Sequence, residues 1–318
     1  MLSRLPLLLF FLLAGCAANR PLMRVASPYA EPAALEKGQI LHLATGQIVS
    51  ESQFLEYLSC YRVIFVGETH DSIDDHAVEF TVLKGLHLRW PGKLALGLEM
   101  LPRNAQADLD AYVEGGMDEE AFARVWTMHW GHTFRYYEEI LRYARDHRIK
   151  VLALNVDDDL KKAVREKPVA EIEADLADRL PKMDLADPYH RAMTQAIFEA
   201  HRMGAQDTEA FYRVQVLWDE TMAQIAADYL RSPEGQETRL VIFAGGSHVR
   251  HGYGIPRRLF RRIPVPYVIV LPFAVEIPEN KSDRMMDVEA PELPMPPGDF
   301  VWAVGYTDLE DVREDTRP

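Results

Sequence analysis

Five short apolar runs, each four or five residues long, recur along the chain and limit the folds open to it. Each run is aliphatic or β-branched and is bounded by charged or turn residues, which is typical of a buried strand. Amphipathic helical patterns separate the first three runs, and such alternation predicts a parallel sheet with right-handed crossovers. Near-continuous apolar strands indicate helices on both faces. We therefore predict an α/β fold, three-layer α/β/α with a mostly parallel central sheet; the runs lie at 63–66, 94–98, 151–154, 240–243 and 267–271.

The remaining patterns divide the chain into segments. Residues 41–49 have the pattern of a small hairpin, and 300–304 is a candidate last strand. Between 157 and 231 the pattern is wholly helical, and we interpret it as a helical insertion packed over one edge of the sheet. We expect one domain at 38–280, followed at 281–318 by a Pro-rich and acidic C-terminal extension.

The N-terminus has the layout of a secretory signal. Arg4 precedes an apolar run at 5–14, and small residues lead to Cys16. The run is about half of the ~20 residues that a membrane-spanning helix needs, whereas the Cys16 thiol can take diacylglycerol. We therefore expect cleavage before Cys16, a lipid anchor on it and a tether at 17–37; a cleaved signal with a chance cysteine is the alternative. Ala17 favours the outer membrane in Gram-negative lipoproteins, so we expect a location in the cell envelope.

Composition excludes several classes of protein. The formal charge of −14 argues against binding of nucleic acid, which requires a basic face. A hydrophobic content of 48% excludes a largely disordered chain. Of the two cysteines only Cys60 remains once Cys16 is lipidated, so no internal disulfide can form and the domain must depend on core packing.

Ionisable side chains follow four of the five predicted strands. Glu68 and His70 follow the first, Glu99 ends the second, and His248 follows the fourth. The carboxyl ends of parallel strands meet at one edge of the sheet, where ligands bind. Histidine can carry protons or bind metal there, and paired carboxylates can divide acid and base roles. Glu68, His70 and His248 are therefore a candidate ligand set for a divalent metal, and we call the four residues the strand-end cluster.

Three further residues are secondary candidates. Asp71 and His76 follow the first strand, and Asp157 follows the third. His76 and Asp157 have structural alternatives, because His76 lies in a helix that begins near Ser72 and Asp157 stands at another helix start. Glu68 also has an alternative, an ion pair with an arginine such as Arg250.

Aromatic residues are concentrated in two places. One is the segment 126–137, which either walls a flat hydrophobic ligand or forms core between helices. The other is the loop 248–258, where His251, Tyr253 and Arg257 are suited to binding iron and carboxylates.

Several of these segments together resemble a known family. Val-Ile-Phe-Val-Gly-Glu-Thr-His-Asp at 63–71, Gly-Leu-Glu-Met at 97–100 and Gly-Ser-His at 246–248 resemble ChaN-type haem-binding lipoproteins of the Tiki and erythromycin-esterase-like superfamily. Gln-Val-Leu-Trp-Asp-Glu-Thr-Met-Ala at 215–223 and Gly-Tyr-Gly-Ile-Pro at 252–256 fit the same pattern. The resemblance covers roughly 40–275. It implies a three-layer domain with helical additions that holds haem at the outer membrane during iron uptake.

The resemblance also implies how haem is held. A tyrosine would bind the iron, basic side chains would hold the propionates, a homodimer would enclose two stacked haems, and a haem-uptake receptor or transporter would accept them. The chain has no Cys-x-x-Cys-His, so haem would bind non-covalently. The candidate iron ligands are Tyr253, Tyr189 and Tyr212, and the candidate propionate partners are His201, Arg202, His251 and Arg257. His251 stands where the pattern has an aromatic such as tyrosine.

The superfamily also contains hydrolases. Glu68, His70, Glu99 and His248 are all present here, which is more than a haem pocket requires. A metal-dependent hydrolase that uses this cluster is therefore the alternative to a non-enzymatic haem binder, and the sequence favours the haem binder.

Overall fold

The computed structural model describes residues 32–200, 208–284 and 293–311. One eight-stranded sheet has the order β2-β1-β8-β7-β3-β6-β4-β5. The strands are β1 Ile40–His42, β2 Gln47–Val49, β3 Val63–Glu68, β4 Leu94–Pro102, β5 Lys150–Asn155, β6 Arg239–Gly245, β7 Tyr267–Glu276 and β8 Phe300–Gly305. Every run predicted as a strand lies within one of them.

The central strands are parallel, as predicted. β3 pairs with β6 and β7, β4 with β5 and β6, and β7 with β8, all in parallel. In the described part of the chain, the antiparallel pairs are β1 with β2 and β1 with β8. All residues of β3 and β4 are buried, which requires cover on both faces.

Helices supply that cover. Ile64 and Val66 of β3 pack with Leu83 on one face, whereas Val63 and Phe65 face the opposite side, because successive side chains of a strand alternate. The fold is therefore the predicted three-layer α/β/α. The helices are α1 Glu51–Ser59, α2 Ile73–Arg89, α3 Gln106–Val113, α4 Glu119–His129, α5 Glu138–Asp146, α6 Asp158–Glu166, α7 Ala174–Ala177, α8 Pro188–Ala200, α9 Thr208–Arg231, α10 Gly246–Val249 and α11 Ile255–Arg262.

The helices α6 to α9 lie between β5 and β6, where the sequence predicts a helical insertion. Leu160 and Val164 of α6 pack on Val214 and Leu217 of α9 in a small core of their own. Among the residues described, no helix is both long and apolar enough to cross a bilayer. Cys16, His201 and Arg202 lie outside the described residues.

The C-terminal part of the chain differs from the predicted extension. β8 lies in the sheet between β1 and β7, so the sheet includes residues beyond 280. The reason is apolar burial, because Phe300 and Val304 join the main core and Val301 packs on Leu41. The candidate strand at 300–304 is thereby confirmed.

Candidate functional site

A cavity of about 320 Å³ opens at the carboxyl ends of the parallel strands. Its polar lining includes His70, Glu99 and His248 of the strand-end cluster, together with Gln215 from α9. Trp130 and Trp218 are among its apolar walls. The structure therefore brings together at one edge residues that are far apart in the sequence, as the topology of a parallel sheet requires.

His70 lines this cavity and forms a close pair with Glu68, which is not part of the lining. Glu68 is buried, and its Oε1 accepts hydrogen bonds from His70 Nδ1 at 2.6 Å and from the Tyr137 hydroxyl at 2.8 Å. Burial lowers the pKa of His70, but the bond to Glu68 outweighs this effect and the pKa is raised. Nδ1 faces Glu68, whereas Nε2 lies near Gly245. A Cβ atom added to Gly245 would be 3.0 Å from His70 Nε2.

His248 lies between two carboxylates. Its Nε2 is 3.3 Å from Glu99 Oε1, and its Nδ1 is 2.7 Å from Asp219 Oδ1. Burial opposes the charged form, yet Glu99 and Asp219 together raise the pKa of His248 to about 10. His248 is therefore an imidazolium at neutral pH, and neither nitrogen is free for the metal ion that the sequence suggested.

A buried polar network holds Asp219 in place. Asp219 Oδ2 accepts from His190 Nε2 at 2.8 Å. Arg258 Nη2 lies 3.2 Å from His190 Nδ1, and Arg258 Nε lies 3.2 Å from Glu220 Oε1. These residues connect α8, α9 and α11 behind the cavity. Such a network, when its members are paired, restricts the site to one geometry.

A second buried group lies on the other side of Glu68. His76 Nδ1 is 3.1 Å from Glu68 Oε2 and 2.9 Å from Glu79 Oε2. Burial and the nearby charge of Glu68 raise the pKa of Glu79 well above its usual value. Burial likewise raises the pKa of Asp75, to about 6, although Asp75 accepts hydrogen bonds from Thr69 and Ser72. His76 thus contacts the strand-end cluster through Glu68.

The other secondary candidates do not join this cluster. Asp157 Oδ1 accepts from the Asn104 backbone N–H at 3.0 Å, and Asp157 pairs with Arg179 at 3.1 Å. Asp71 is partly exposed in the turn after His70. Glu68 contacts His70, His76 and Tyr137, so the alternative of a Glu68–Arg250 ion pair does not hold.

The candidate iron ligands have different environments. Tyr189 is 42% exposed and stacks on Tyr253 with a centroid distance of 5.4 Å. His251 stacks on Tyr253 at 6.2 Å, and the Arg257 guanidinium lies 4.7 Å from the same ring. We call Tyr189, Tyr253, His251 and Arg257 the aromatic layer. Tyr212 is buried apart from them, and burial raises its pKa to about 12.

Two basic residues of the aromatic layer have protein partners. His251 adopts a left-handed backbone with φ of +58°, and its Nδ1 lies 2.8 Å from the Met295 carbonyl oxygen. Burial lowers its pKa, so the ring is neutral and poorly suited to a propionate. Arg257 pairs with Asp187 and is 45% exposed, so it can still meet an anion.

The aromatic segment 126–137 lies partly in the core and partly along the cavity. Trp126, Phe134 and Tyr137 are core residues. His129 and Trp130 line the cavity, and the Trp130 ring meets His70 edge-on at 4.9 Å. Core residues and cavity-lining residues therefore occur together within one short segment.

Four residues of the site were not predicted from the sequence: Asp219, Gln215, Glu79 and Tyr137. Asp219 and Gln215 are four residues apart on the buried face of α9, and Glu79 follows His76 on the buried face of α2. Polar residues at core positions of an amphipathic helix are uncommon and need a partner. This pattern could have identified Asp219, Gln215 and Glu79 from the sequence. No such pattern distinguishes Tyr137 from the other aromatic residues of its segment.

Comparisons with known proteins agree with this fold. The profile of a family described as haem-binding uptake, Tiki superfamily, ChaN matches residues 54–259. The solved structure of Campylobacter jejuni ChaN with cofacially bound haem has a TM-score of 0.63 and 15% identity, with 83% of this chain and 95% of that chain covered. A mutant of the erythromycin esterase EreC in its open conformation has a TM-score of 0.44 and 13% identity, with coverage of 88% and 86%.

A plant relative also matches. The chloroplastic protein RETICULATA-RELATED 5 of Arabidopsis thaliana is 24% identical over 263 residues, which are 76% of this chain. This chain spans only 34% of the length of that plant protein. The family match, in contrast, extends over more than half of the 318 residues, from α1 into α11. The protein is thus a member of the ChaN-type haem-binding uptake family of the Tiki superfamily.

Proposed function

We propose that the protein is a haem-binding lipoprotein of iron uptake, anchored through Cys16 in the outer membrane of the cell envelope, which passes haem to an uptake receptor or transporter. Membership of the haem-binding family is the observation that carries the proposal. The signal-like segment before Cys16 supports the anchor. A homodimer that encloses two stacked haems belongs to the same proposal, and its test is the mass of the complex in solution with and without hemin.

The aromatic layer is the surface best suited to haem. Tyr189 is exposed and its ring is supported by the stack on Tyr253, so its phenol can approach the iron of a haem bound at this surface. Within the described residues the buried Tyr253 hydroxyl makes no well-formed hydrogen bond, and Tyr253 would have to move to present its phenol oxygen to haem. A bound haem supplies the iron, and Tyr189 would hold that iron while Arg257 meets a propionate. A tyrosinate suits ferric haem, because a hard anionic oxygen stabilises the higher oxidation state.

The test is a spectral titration of the purified chain with hemin. We expect a saturable Soret shift for the wild type and its loss or displacement in Tyr189→Phe. Tyr212→Phe is the matched control, because that ring is buried outside the aromatic layer. An unchanged Soret band in both Tyr189→Phe and Tyr253→Phe would exclude the aromatic layer as the source of the iron ligand.

The anchor has a separate test. Cells that express the full chain would be labelled with a radioactive fatty acid and separated into inner and outer membranes. We expect label in the wild type, in the outer-membrane fraction, and none in Cys16→Ser, while Cys60→Ser remains labelled. Label in Cys16→Ser would contradict lipidation at that residue.

A second candidate function is hydrolysis at the strand-end cluster. The observation that favours it is the contact of the cavity-lining His70 with Glu68, because a histidine oriented by a carboxylate can take a proton from a water molecule. The fixed imidazolium of His248 would place a positive charge beside the reacting group. As a ligand of a catalytic metal, His248 would first have to release Glu99 or Asp219.

The two functions predict opposite results for one variant. Glu68→Gln should leave the Soret band of bound haem unchanged but remove any esterase activity found on a panel of chromogenic esters. Arg257→Gln is the reciprocal control, because it lies outside the cavity lining and should weaken haem binding alone. Activity that persists in Glu68→Gln and His70→Gln would exclude hydrolysis at this cluster.

A further inference from the structure

Three buried side chains next to His70 bring typical metal-ligand atoms together: those of Glu68, His76 and Glu79. Glu68 ends β3, and His76 and Glu79 lie three residues apart on α2. One ligand atom from each lies within 4.8 Å of the other two. The side chains of Glu68 and Glu79 are fully buried and that of His76 is 6% exposed. Two carboxylates and an imidazole therefore share a small volume that solvent does not reach.

The hydrogen bonding of His76 leaves its inner nitrogen facing two carboxylates. Nε2 lies 3.2 Å from the His70 carbonyl oxygen, so Nε2 carries a proton and donates it there. Nδ1 then faces Glu79 Oε2 at 2.9 Å and Glu68 Oε2 at 3.1 Å. In the neutral ring Nδ1 holds a lone pair, so either a shared proton or a metal ion must lie between it and the two carboxylates. A backbone carbonyl on the far nitrogen is also how metal-binding histidines are oriented.

Each of the two carboxylates has one buried oxygen without a hydrogen-bond partner among the described residues. These oxygens are Glu68 Oε2 and Glu79 Oε1. The other oxygen of Glu68, Oε1, accepts from Tyr137 at 2.8 Å and from His70 at 2.6 Å. A carboxylate that binds a metal is commonly held in this way by outer partners. Glu68 is therefore oriented with Oε2 available to a cation.

We propose that Glu68, His76 and Glu79 bind one divalent first-row metal ion next to His70, which lines the cavity. A ligand set of one imidazole and two carboxylates suits Zn²⁺, Mn²⁺ or Fe²⁺. The site shares only Glu68 with the set predicted from the sequence, since His70 and His248 are bound to carboxylates instead. It stands independently of the haem proposal, because none of its residues belongs to the aromatic layer.

The experiment is a count of bound ions on the purified full chain. The protein would be stripped with a chelator, dialysed against Zn²⁺ or Mn²⁺, and analysed for metal and protein in the same sample. We expect about one ion per wild-type chain, and at least tenfold weaker binding in Glu79→Gln and His76→Gln. Tyr137→Phe, which removes an outer hydrogen bond from Glu68, should weaken binding roughly 10–100-fold. His248→Gln is the matched control and should keep the ion.

A second measurement distinguishes loss of metal binding from misfolding of a variant. The melting temperature of the wild type should rise with added metal, by mass action on the folded state, and that of Glu79→Gln should not. Far-UV circular dichroism establishes that Glu79→Gln is folded. If the wild type binds neither Zn²⁺ nor Mn²⁺, the proposal is wrong, and a proton rather than a metal ion bridges Glu68, His76 and Glu79. Retention by Glu79→Gln with loss in His248→Gln would also overturn it, because the ion would then lie in the strand-end cluster.

Discussion

The carboxylate of Asp219 is the single group whose removal should test the organisation of the site most directly. It is fully buried and accepts from His248 Nδ1 at 2.7 Å and from His190 Nε2 at 2.8 Å. Asp219→Asn keeps the size of the side chain but removes the charge. The new amide can accept from only one imidazole, because its NH2 group presents a donor to the other.

The expected loss of stability follows from breaking a buried charge pair on one side. Such a change costs about 3–5 kcal/mol, because the partner charge remains buried. For a domain of this size, about 1 kcal/mol shifts the melting temperature by roughly 2–4 °C. We therefore expect the melting temperature of Asp219→Asn to fall by roughly 6–20 °C at pH 6. Asp228→Asn on the same helix, whose partner Arg231 lies at the surface 3.6 Å away, should change it little.

The pH dependence of this loss has a defined sign. The pKa of His248 is about 10 in the folded protein, above its ordinary value of 6.5, so its charged form stabilises the fold fully below pH 6.5. That contribution disappears as the pH rises towards 10. The difference in melting temperature between wild type and Asp219→Asn should therefore be largest near pH 6 and smaller near pH 10.

Thermal denaturation followed by circular dichroism at several pH values measures both effects. A melting temperature of Asp219→Asn within about 1 °C of that of Asp228→Asn at pH 6 would refute the charged network. A difference that grows between pH 6 and pH 10 would refute the assignment of His248 as an imidazolium.

Three further changes have expected outcomes. In Gly245→Ala the new Cβ would lie 3.0 Å from the His70 ring, so we expect the His70 resonances in NMR spectra to shift while the circular dichroism stays unchanged; unshifted resonances would contradict this contact. Trp126→Ala removes a fully buried ring and should cost about 3–5 kcal/mol, measured as a lower urea midpoint, and a loss below about 1 kcal/mol would show that the ring is dispensable. Lys281→Met leaves Asp308, its partner at 2.6 Å, buried without that cation and should speed proteolysis near the C-terminus; Lys84→Met, at an exposed position, is the control and should cleave at the wild-type rate.

The strands and the strand-end cluster were predictable because their signals are local. A run such as 63–66 is apolar without interruption, and a parallel sheet collects the residues that follow its strands at one edge. Glu68, His70 and His248 could therefore be grouped without knowledge of their coordinates. Glu99 was predicted at the end of its strand, but it lies within β4, at the place where the pairing with β5 shifts register between Leu98 and Pro102.

The partners of these residues were not predictable in the same way. Asp219 and Glu79 come from helices, and which helical residue reaches a strand end depends on how each helix docks on the sheet. Docking is decided by packing over many residues, such as Met222 and Ala226 of α9 against Val63 and Phe65 of β3. No short sequence pattern encodes that arrangement.

The sequence by itself determined the fold class, the parallel order of strand and helix, the family and the four residues at the strand ends, because each rests on local apolar periodicity or on a contiguous motif. The tertiary structure decided three further matters: that β8 joins the sheet between β1 and β7, that His248 lies between two carboxylates, and that Glu68 faces both His70 and His76. Each depends on contacts between segments far apart in the chain. Such contacts form only when the layers pack, and they set the protonation and the free ligand atoms of every group in the site.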